Sequence, residues 1–497
     1  MLIDRMTSHT DNVASRRDFF ARTSDGLLGA ALAHLLCNDF FGGTSALATE
    51  PKSDLSLPSS GIYDLKPKPP QHSPKATSVI QLFMNGGPSQ MDLFDPKPTL
   101  NAMDGKPFPW NVEAIGNQDA GDIGVMMGGQ YKFSRHGESG VWMADVLPHT
   151  SKMVDELCLI NSMWTDHPNH DNALYKIHSG RLFMGYPTLG AWTVYGLGSE
   201  NQNLPAYVVL NDPLGPPKNG TRNWTSGFLP PVYQGTRFRP TGSPILNLTP
   251  QYEQPSAVAD SARGLLNQLD QIHRQARPYN PALDARIESY SLAARMQLSA
   301  GDALDLSQES EHTHAMYGVG EQSTDSFARR CLLARRLVER GVRFVQIFLE
   351  EQPWDSHADL AANHRGACQR TDKPVAALLR DLRQRGLLDS TLVIWGGEFG
   401  RTPTTQKSAN GFSGRDHNMQ AFSSWMAGGG VRGGTTYGTT DEFGHAVVEN
   451  PVSVHDFHAT ILHLLGLHHQ KLFFKRSGLE ERLTGFDPPR VVNEIIR

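Results

Sequence analysis

Val79-Ile80-Gln81-Leu82-Phe83-Met84 is apolar at all but one position and is stopped at once by Asn85-Gly86-Gly87-Pro88. A strand that is apolar on both faces belongs in a sheet covered on both sides, whereas a half-exposed strand alternates. The Gly-Gly-Pro stop predicts a sharp turn at the strand's carboxyl end. The same pattern returns at 206–210, 342–349 and 392–395, with further short strands expected at 157–160 and 421–426. Helical spacing is read over 143–157, in the His-rich stretch 166–179, and over 253–300, 321–340, 359–385 and 453–465. Short apolar strands alternating with helices predict an α/β fold: a mostly parallel central sheet with helices on both faces. No internal repeat of the ~20–50 residues typical of solenoids and propellers is present.

In open α/β sheets, ligands bind beyond the carboxyl ends of the strands. The first strand is followed by Asn85, Ser89, Gln90 and Asp92. The strand 342–349 is followed by Glu350, Glu351, Asp355, His357 and His364. The strand 392–395 leads to Glu398 and Arg401, then to Arg415-Asp416-His417-Asn418. Three strand ends thus deliver carboxylates and imidazoles to one side of the sheet, a donor set that suits Zn²⁺, Mn²⁺ or Fe²⁺. Glu398, a carboxylate after two glycines, has little local structural purpose. Arg401 either pairs with Glu398 or binds an anion.

A second group is Asp166-His167-Pro168-Asn169-His170-Asp171-Asn172, with His178 on the same helical face as His170. It reads equally as part of the cleft or as a helix start capped by Asp166 or Asn169. His455 and His458 share a helix face but sit among packing residues. Gly428-Gly429-Gly430-Val431-Arg432-Gly433 fits G-x-G-x-x-G in form, yet Thr435-Thr436-Tyr437 follows instead of a helix, so a dinucleotide site is not expected. There is no P-loop, H-E-x-x-H or G-x-S-x-G.

Ser15-Arg16-Arg17-Asp18-Phe19-Phe20, the short apolar stretch Gly26–Leu36 and Ala46-Leu47-Ala48 together resemble a twin-arginine export signal over 1–48. A Pro/Ser-rich linker is expected over 49–75, and one domain over 76–495 with a Gly/Pro-rich and helical insertion at about 211–325. No apolar run reaches the ~18 residues of a membrane span. Lys+Arg 46 against Asp+Glu 51 gives a net charge of −5, which offers no electrostatic footing for nucleic acid. The four cysteines lack C-x-x-C spacing, so neither a zinc ribbon nor a redox dithiol is implied.

The run Gln81–Asp92, the Trp354-Asp355-Ser356-His357 turn, Gly396-Gly397-Glu398-Phe399-Gly400-Arg401-Thr402-Pro403 and Gly414-Arg415-Asp416-His417 resemble the DUF1501 family. The resemblance spans about 75–495. It implies a fold similar to the alkaline phosphatase superfamily, which includes sulfatases: a three-layer α/β sandwich. The sequence departs from that superfamily's pattern in several places. Asn85 stands where an Asp is usual, Ser89 lies beyond Pro88, Glu398-Phe399 replaces Asp-His, and His357 is two rather than four residues after Asp355. No formylglycine motif exists, which excludes conventional sulfatase maturation.

The resemblance implies an exported, periplasmic or extracellular hydrolase of phosphate or sulfate esters. Asp355, His357, Glu398 and His417 would hold a divalent metal. Ser89 or water would attack, and Arg401 or Arg415 would steady the anion. The expected partner is a small anionic ester or a sulfated polysaccharide. The alternative is a non-catalytic member of the fold that binds sulfated polysaccharide or a partner protein. Transfer or isomerisation of a phosphoryl group is a third, disfavoured option.

Overall fold

A computed structural model describes residues 64–109, 123–240, 242–245, 255–278, 280–406, 413–486 and 489–497. The expected export signal at 1–48, and the first part of the linker, lie outside them. The chain divides into two compact units. The smaller comprises residues 1–57 and 252–280, and its described part is the helix Ser256–Ala276, whose Val258, Leu265 and Ile272 are exposed. The larger, residues 58–251 and 281–497, carries the sheet and the site described below.

Its frame is β1 (Ser78–Phe83), buried at every position as the apolar run requires. The side sheet strand β2 is Ile123–Met126, and β3 is Leu157–Trp164. Then follow α1 (His170–Ser179), α2 (Leu189–Leu197), β4 (Tyr207–Leu210) and β5 (Thr236–Phe238). Next come α3 (Asp325–Glu339), β6 (Phe344–Phe348), α4 (Leu360–Gln384) and β7 (Thr391–Gly396). The last elements needed are β8 (Gly400–Gln406), β9 (Arg415–Asn418), β10 (Phe422–Ala427), β11 (Thr435–Tyr437) and α5 (Val454–Leu464).

The central sheet has the order β11-β3-β10-β7-β1-β6-β4-β5, with Val452–Ser453 pairing β3. β10 runs antiparallel to both its neighbours, β3 and β7, and the other pairings are parallel. The pleat sends Ile80 and Leu82 of β1 into one core with α3 and α4, and Val79 and Phe83 into another with α1, α2 and α5. Each such fully buried side chain contributes roughly 1.5–3 kcal/mol. This is the expected sheet covered on both faces.

One expectation is overturned. Residues 143–157 are not one helix: Val141–Ala144 pairs with Phe133–His136 as a hairpin, and a 3₁₀ turn, Thr150–Glu156, follows. Pro148 forbids the continuous ladder that the apolar spacing suggested. Within the stretch expected as a Gly/Pro-rich and helical insertion, β5 adds a parallel edge strand to the sheet beside β4. Residues 64–75 pack onto the body, with Lys68 N donating to Leu197 O and Lys75 N to Leu464 O.

Register decides where the loops emerge. Phe83 lies opposite both Phe348 of β6 and Gly396 of β7, so the three central strands end at one level. The turn after β1 is then crowded against the loop after β6. Gly86 has φ +115°, and a Cβ there would fall 2.4 Å from Asp355 N. Gly86→Ala is expected to lower stability by about 2 kcal/mol or more, since a strained φ and overpacking add. A urea midpoint unchanged from wild type would contradict this crowding.

Candidate functional site

Asp355, after β6, is the hub of the rim. Its Oδ1 accepts from Arg401 Nη2 at 2.7 Å, and His357 Nε2 and His417 Nε2 lie 3.0 and 3.3 Å from the same oxygen. His170 Nε2 lies 3.3 Å from Oδ2 without hydrogen-bond alignment, which leaves that nitrogen buried and unpartnered. The imidazoles come from three places. His357 follows Asp355 in the same loop. His417 sits on β9, whose antiparallel register places it opposite Arg401 of β8. His170 is the first residue of α1, which Asn169 caps by accepting from Asp171 N at 2.9 Å. The two readings of the His-rich stretch therefore hold together: it is a capped helix start, and His170 is in the cluster.

Each ring is held from behind at Nδ1. His170 Nδ1–H donates to Glu398 Oε1 at 2.6 Å, His357 Nδ1–H to Gln406 Oε1 at 2.5 Å and His417 Nδ1–H to Pro168 O at 2.8 Å. A carbonyl or carboxylate oxygen can only accept, so these contacts assign the proton to Nδ1. In the neutral ring Nε2 then carries a lone pair. Burial pushes His417 down to about 3, outweighing Asp355, with Arg401 and His170 lowering it further. His417 Nε2 faces the Asp355 carboxylate within hydrogen-bond distance. Burial also opposes ionisation of Asp355, but Arg401 and the surrounding histidines outweigh it and hold that carboxyl far below its usual range. Burial lowers His170, yet contacts to Asp355 and Glu398 prevail and raise it. Phe399 packs against His170 and His417, with ring centroids 4.7 and 4.6 Å apart.

Two overlapping donor sets result, His170–Asp355–His417 and His357–Asp416–His417, each with ligand atoms within 4.8 Å of one another. Imidazole nitrogens fixed through Nδ1, converging with a carboxylate, are the usual surroundings of a divalent transition metal. The residues present fit such an ion.

The other expected site residues lie as follows. Glu398 is fully buried behind His170, accepting from Gly86 N at 2.9 and 3.2 Å as well as from the ring. Arg401 pairs with Asp355 rather than Glu398. Its remaining donors go to the carbonyls of Gly86, Gly87, Trp354 and Arg415. Ser89 Oγ donates to Asp92 Oδ2 at 2.5 Å, and Arg415 Nε donates to the same oxygen at 2.8 Å. All three of these residues are buried, and Arg415 also donates to Met127, Gly128 and Thr402 carbonyls. His364 accepts from Ser89 N at 3.0 Å, and Glu350 binds Arg370 at 2.5 and 2.7 Å. His178 and His458 lie in the core rather than at the rim; His458 Nε2 reaches Ile177 O at 2.8 Å.

No curated protein matches the chain. Among solved structures, it is similar to the lipoteichoic acid synthase LtaP from Listeria monocytogenes, at 10% identity over 86% of this chain and 82% of that one, with a TM-score of 0.34. It is similar to the PsFucS1 sulfatase from Pseudoalteromonas sp. at 13% identity over 79% and 68%, TM-score 0.33. It is similar to TAB5 alkaline phosphatase at 10% identity over 80% and 99%, TM-score 0.32. At family level, the profile described as Protein of unknown function (DUF1501) matches residues 76–496. The chain belongs to the DUF1501 family.

Proposed function

We propose that this protein is an exported, metal-dependent hydrolase of phosphate or sulfate esters, with Asp355, His170, His357 and His417 holding the metal. The observation that carries the reading is the convergence of His357 Nε2 and His417 Nε2 on Asp355 Oδ1, at 3.0 and 3.3 Å, with each ring held from behind at Nδ1. When bound, the ion would act as a Lewis acid toward the ester oxygen and would lower the pKa of water. The chain's own residues do the rest. Glu398 fixes the proton of His170 on Nδ1, Pro168 O does so for His417, and Gln406 for His357. Arg401 orients Asp355. The nucleophile in this reading is water, because Ser89 Oγ is committed to Asp92; Ser89, Asp92 and Arg415 brace the rim from below.

The commitment of Arg401 and Arg415 to internal acceptors leaves neither free to steady an anionic ester, which favours a second reading, a non-catalytic module of the same fold. The discriminating experiment is elemental analysis of protein expressed with its N-terminus intact, together with assays on aryl phosphate, phosphodiester and aryl sulfate. About one transition metal per chain and turnover abolished in His417→Ala is the expected result. Metal without turnover on any ester supports the second reading, and absence of metal removes the first. Glu398→Gln is expected to weaken metal binding by roughly 10–100-fold while leaving the fold intact, since glutamine keeps an oxygen to accept from Gly86 N and alters the group behind His170. Full metal occupancy in that variant at limiting metal would show that Glu398 does not position the ring.

A further inference from the structure

The helix Ser256–Ala276 is the described part of the smaller unit, and none of its described side chains is buried. Most of a protein helix's stability comes from packing an amphipathic face against something. This helix has such a face. Val258, Ala262, Leu265, Leu269, Ile272 and Ala276 recur at alternating steps of four and three residues, the spacing of a coiled-coil seam. Val258, Leu265 and Ile272 are 54%, 47% and 52% exposed. The positions flanking the seam are Ala259, Leu266 and His273 on one side and Ser261, Gln268 and Gln275 on the other, with no Lys, Arg, Asp or Glu among them. Charges at these positions select or reject partners in coiled coils, and here they raise no repulsion between identical chains.

We infer that two copies of this chain associate by pairing this helix antiparallel with itself. A two-fold axis level with Asn267 sets Val258 against Ala276 of the second copy, Ala262 against Ile272 and Leu265 against Leu269. Large side chains then meet small ones towards the ends, and Leu265, Leu266 and Leu269 of both copies gather at the centre. A seam complementary to itself under a two-fold is what an isologous dimer requires. The same axis brings Arg263 nearly level with Asp270 of the second copy, opposite charges on one side of the pair, and sets the two helix dipoles head to tail. A parallel pairing in register would oppose Ala262 to Ala262 and Ala276 to Ala276 and bring like charges level at 263 and 270. Gaps in a seam forfeit contacts, so the antiparallel pairing packs better.

The test uses the full chain. Sedimentation velocity is expected to show a monomer–dimer equilibrium that moves to dimer as concentration rises. Leu265→Asp, half exposed in the single chain, is expected to fold and to weaken association at least about tenfold, because pairing would bury an unpaired carboxylate. Asn267→Asp, on the opposite face of the helix, should leave association unchanged. Mild oxidation reads the direction. Cys158, Cys331 and Cys368 are buried, and oxidised wild type is the control for the native cysteines. Val258→Cys and Ala276→Cys are each expected to form no more linked dimer than wild type, whereas the two variants mixed before oxidation link to each other. Linking of either variant with itself, and not in the mixture, overturns the antiparallel pairing. Wild-type association retained in Leu265→Asp moves the contact off this helix and overturns the inference. So does a monomer at every concentration, whether the seam stays bare or is covered by residues of the same chain.

Discussion

Under the proposed metal-dependent reading, Asp355→Asn is expected to lose the metal, with affinity falling by at least about 100-fold, the upper end of what changes behind a ligand produce. The wild-type carboxylate draws three imidazole nitrogens and Arg401 around it. His417, held through Nδ1 by Pro168 O, turns Nε2 toward Asp355 Oδ1 at 3.3 Å. An asparagine changes these contacts. Its Oδ1 still accepts from Arg401, while its Nδ2 donates to an imidazole Nε2, so the cluster closes on itself without an ion. The melting temperature of the metal-free variant should fall below that of the metal-free wild type, because the fully buried Arg401 loses its charged partner. Ester turnover should disappear with the metal. The measurement is metal content after equilibration at limiting metal, with thermal unfolding of the same samples. Wild-type occupancy in Asp355→Asn would remove Asp355 as a ligand and the metal centre with it.

The central sheet was legible because β1, β6 and β7 are buried on both faces, so their apolar runs are nearly unbroken. The hairpin at 133–144 was not, because a helix-like spacing around Met143, Leu147, Met153 and Val154 hid the break at Pro148. β5 was invisible for another reason: three residues carry no periodicity, and its partners on β4 lie 28 positions earlier in the chain. The gathering at Asp355 could be anticipated from strand ends, since that is a rule of topology. Which nitrogen of which histidine faces inward could not. His170 stood out in the sequence only as one of a local group, and its role depends on Glu398, 228 residues later. Arginines mislead most. Arg401 and Arg415 look like anion binders at a strand end, yet both spend their fork of donors on backbone carbonyls and buried carboxylates, an outcome fixed by chain paths that no local pattern encodes.

Asp92→Asn is expected to destabilise the protein by about 3–5 kcal/mol at pH 7, because it leaves Arg415 charged and buried without its partner. The pair is closed on all sides: both side chains are 0% exposed, and Asp92 also accepts from Ser89 Oγ and, at 2.8 Å, from Gln130 N. Burial pushes the Asp92 carboxyl up, but Arg415 and these donors prevail and hold it below its usual value. A carboxyl whose folded pKa is depressed stabilises the fold above the unfolded pKa, about 3.9, and loses that contribution as pH falls through the folded value. Asparagine resembles the protonated acid and has nothing to lose there. The stability gap between wild type and Asp92→Asn should therefore be widest near neutrality and narrow steadily below about pH 4. Urea midpoints across pH 3–7 measure it. A gap constant over that range would mean that the penalty is one of shape rather than charge, and would dissolve the Asp92–Arg415 pair as the brace beneath the metal-binding rim. Metal content of the folded variant, taken well below its melting temperature, should stay at the wild-type level, since Asp92 touches none of the four residues around Asp355. That separates the brace from the site it supports.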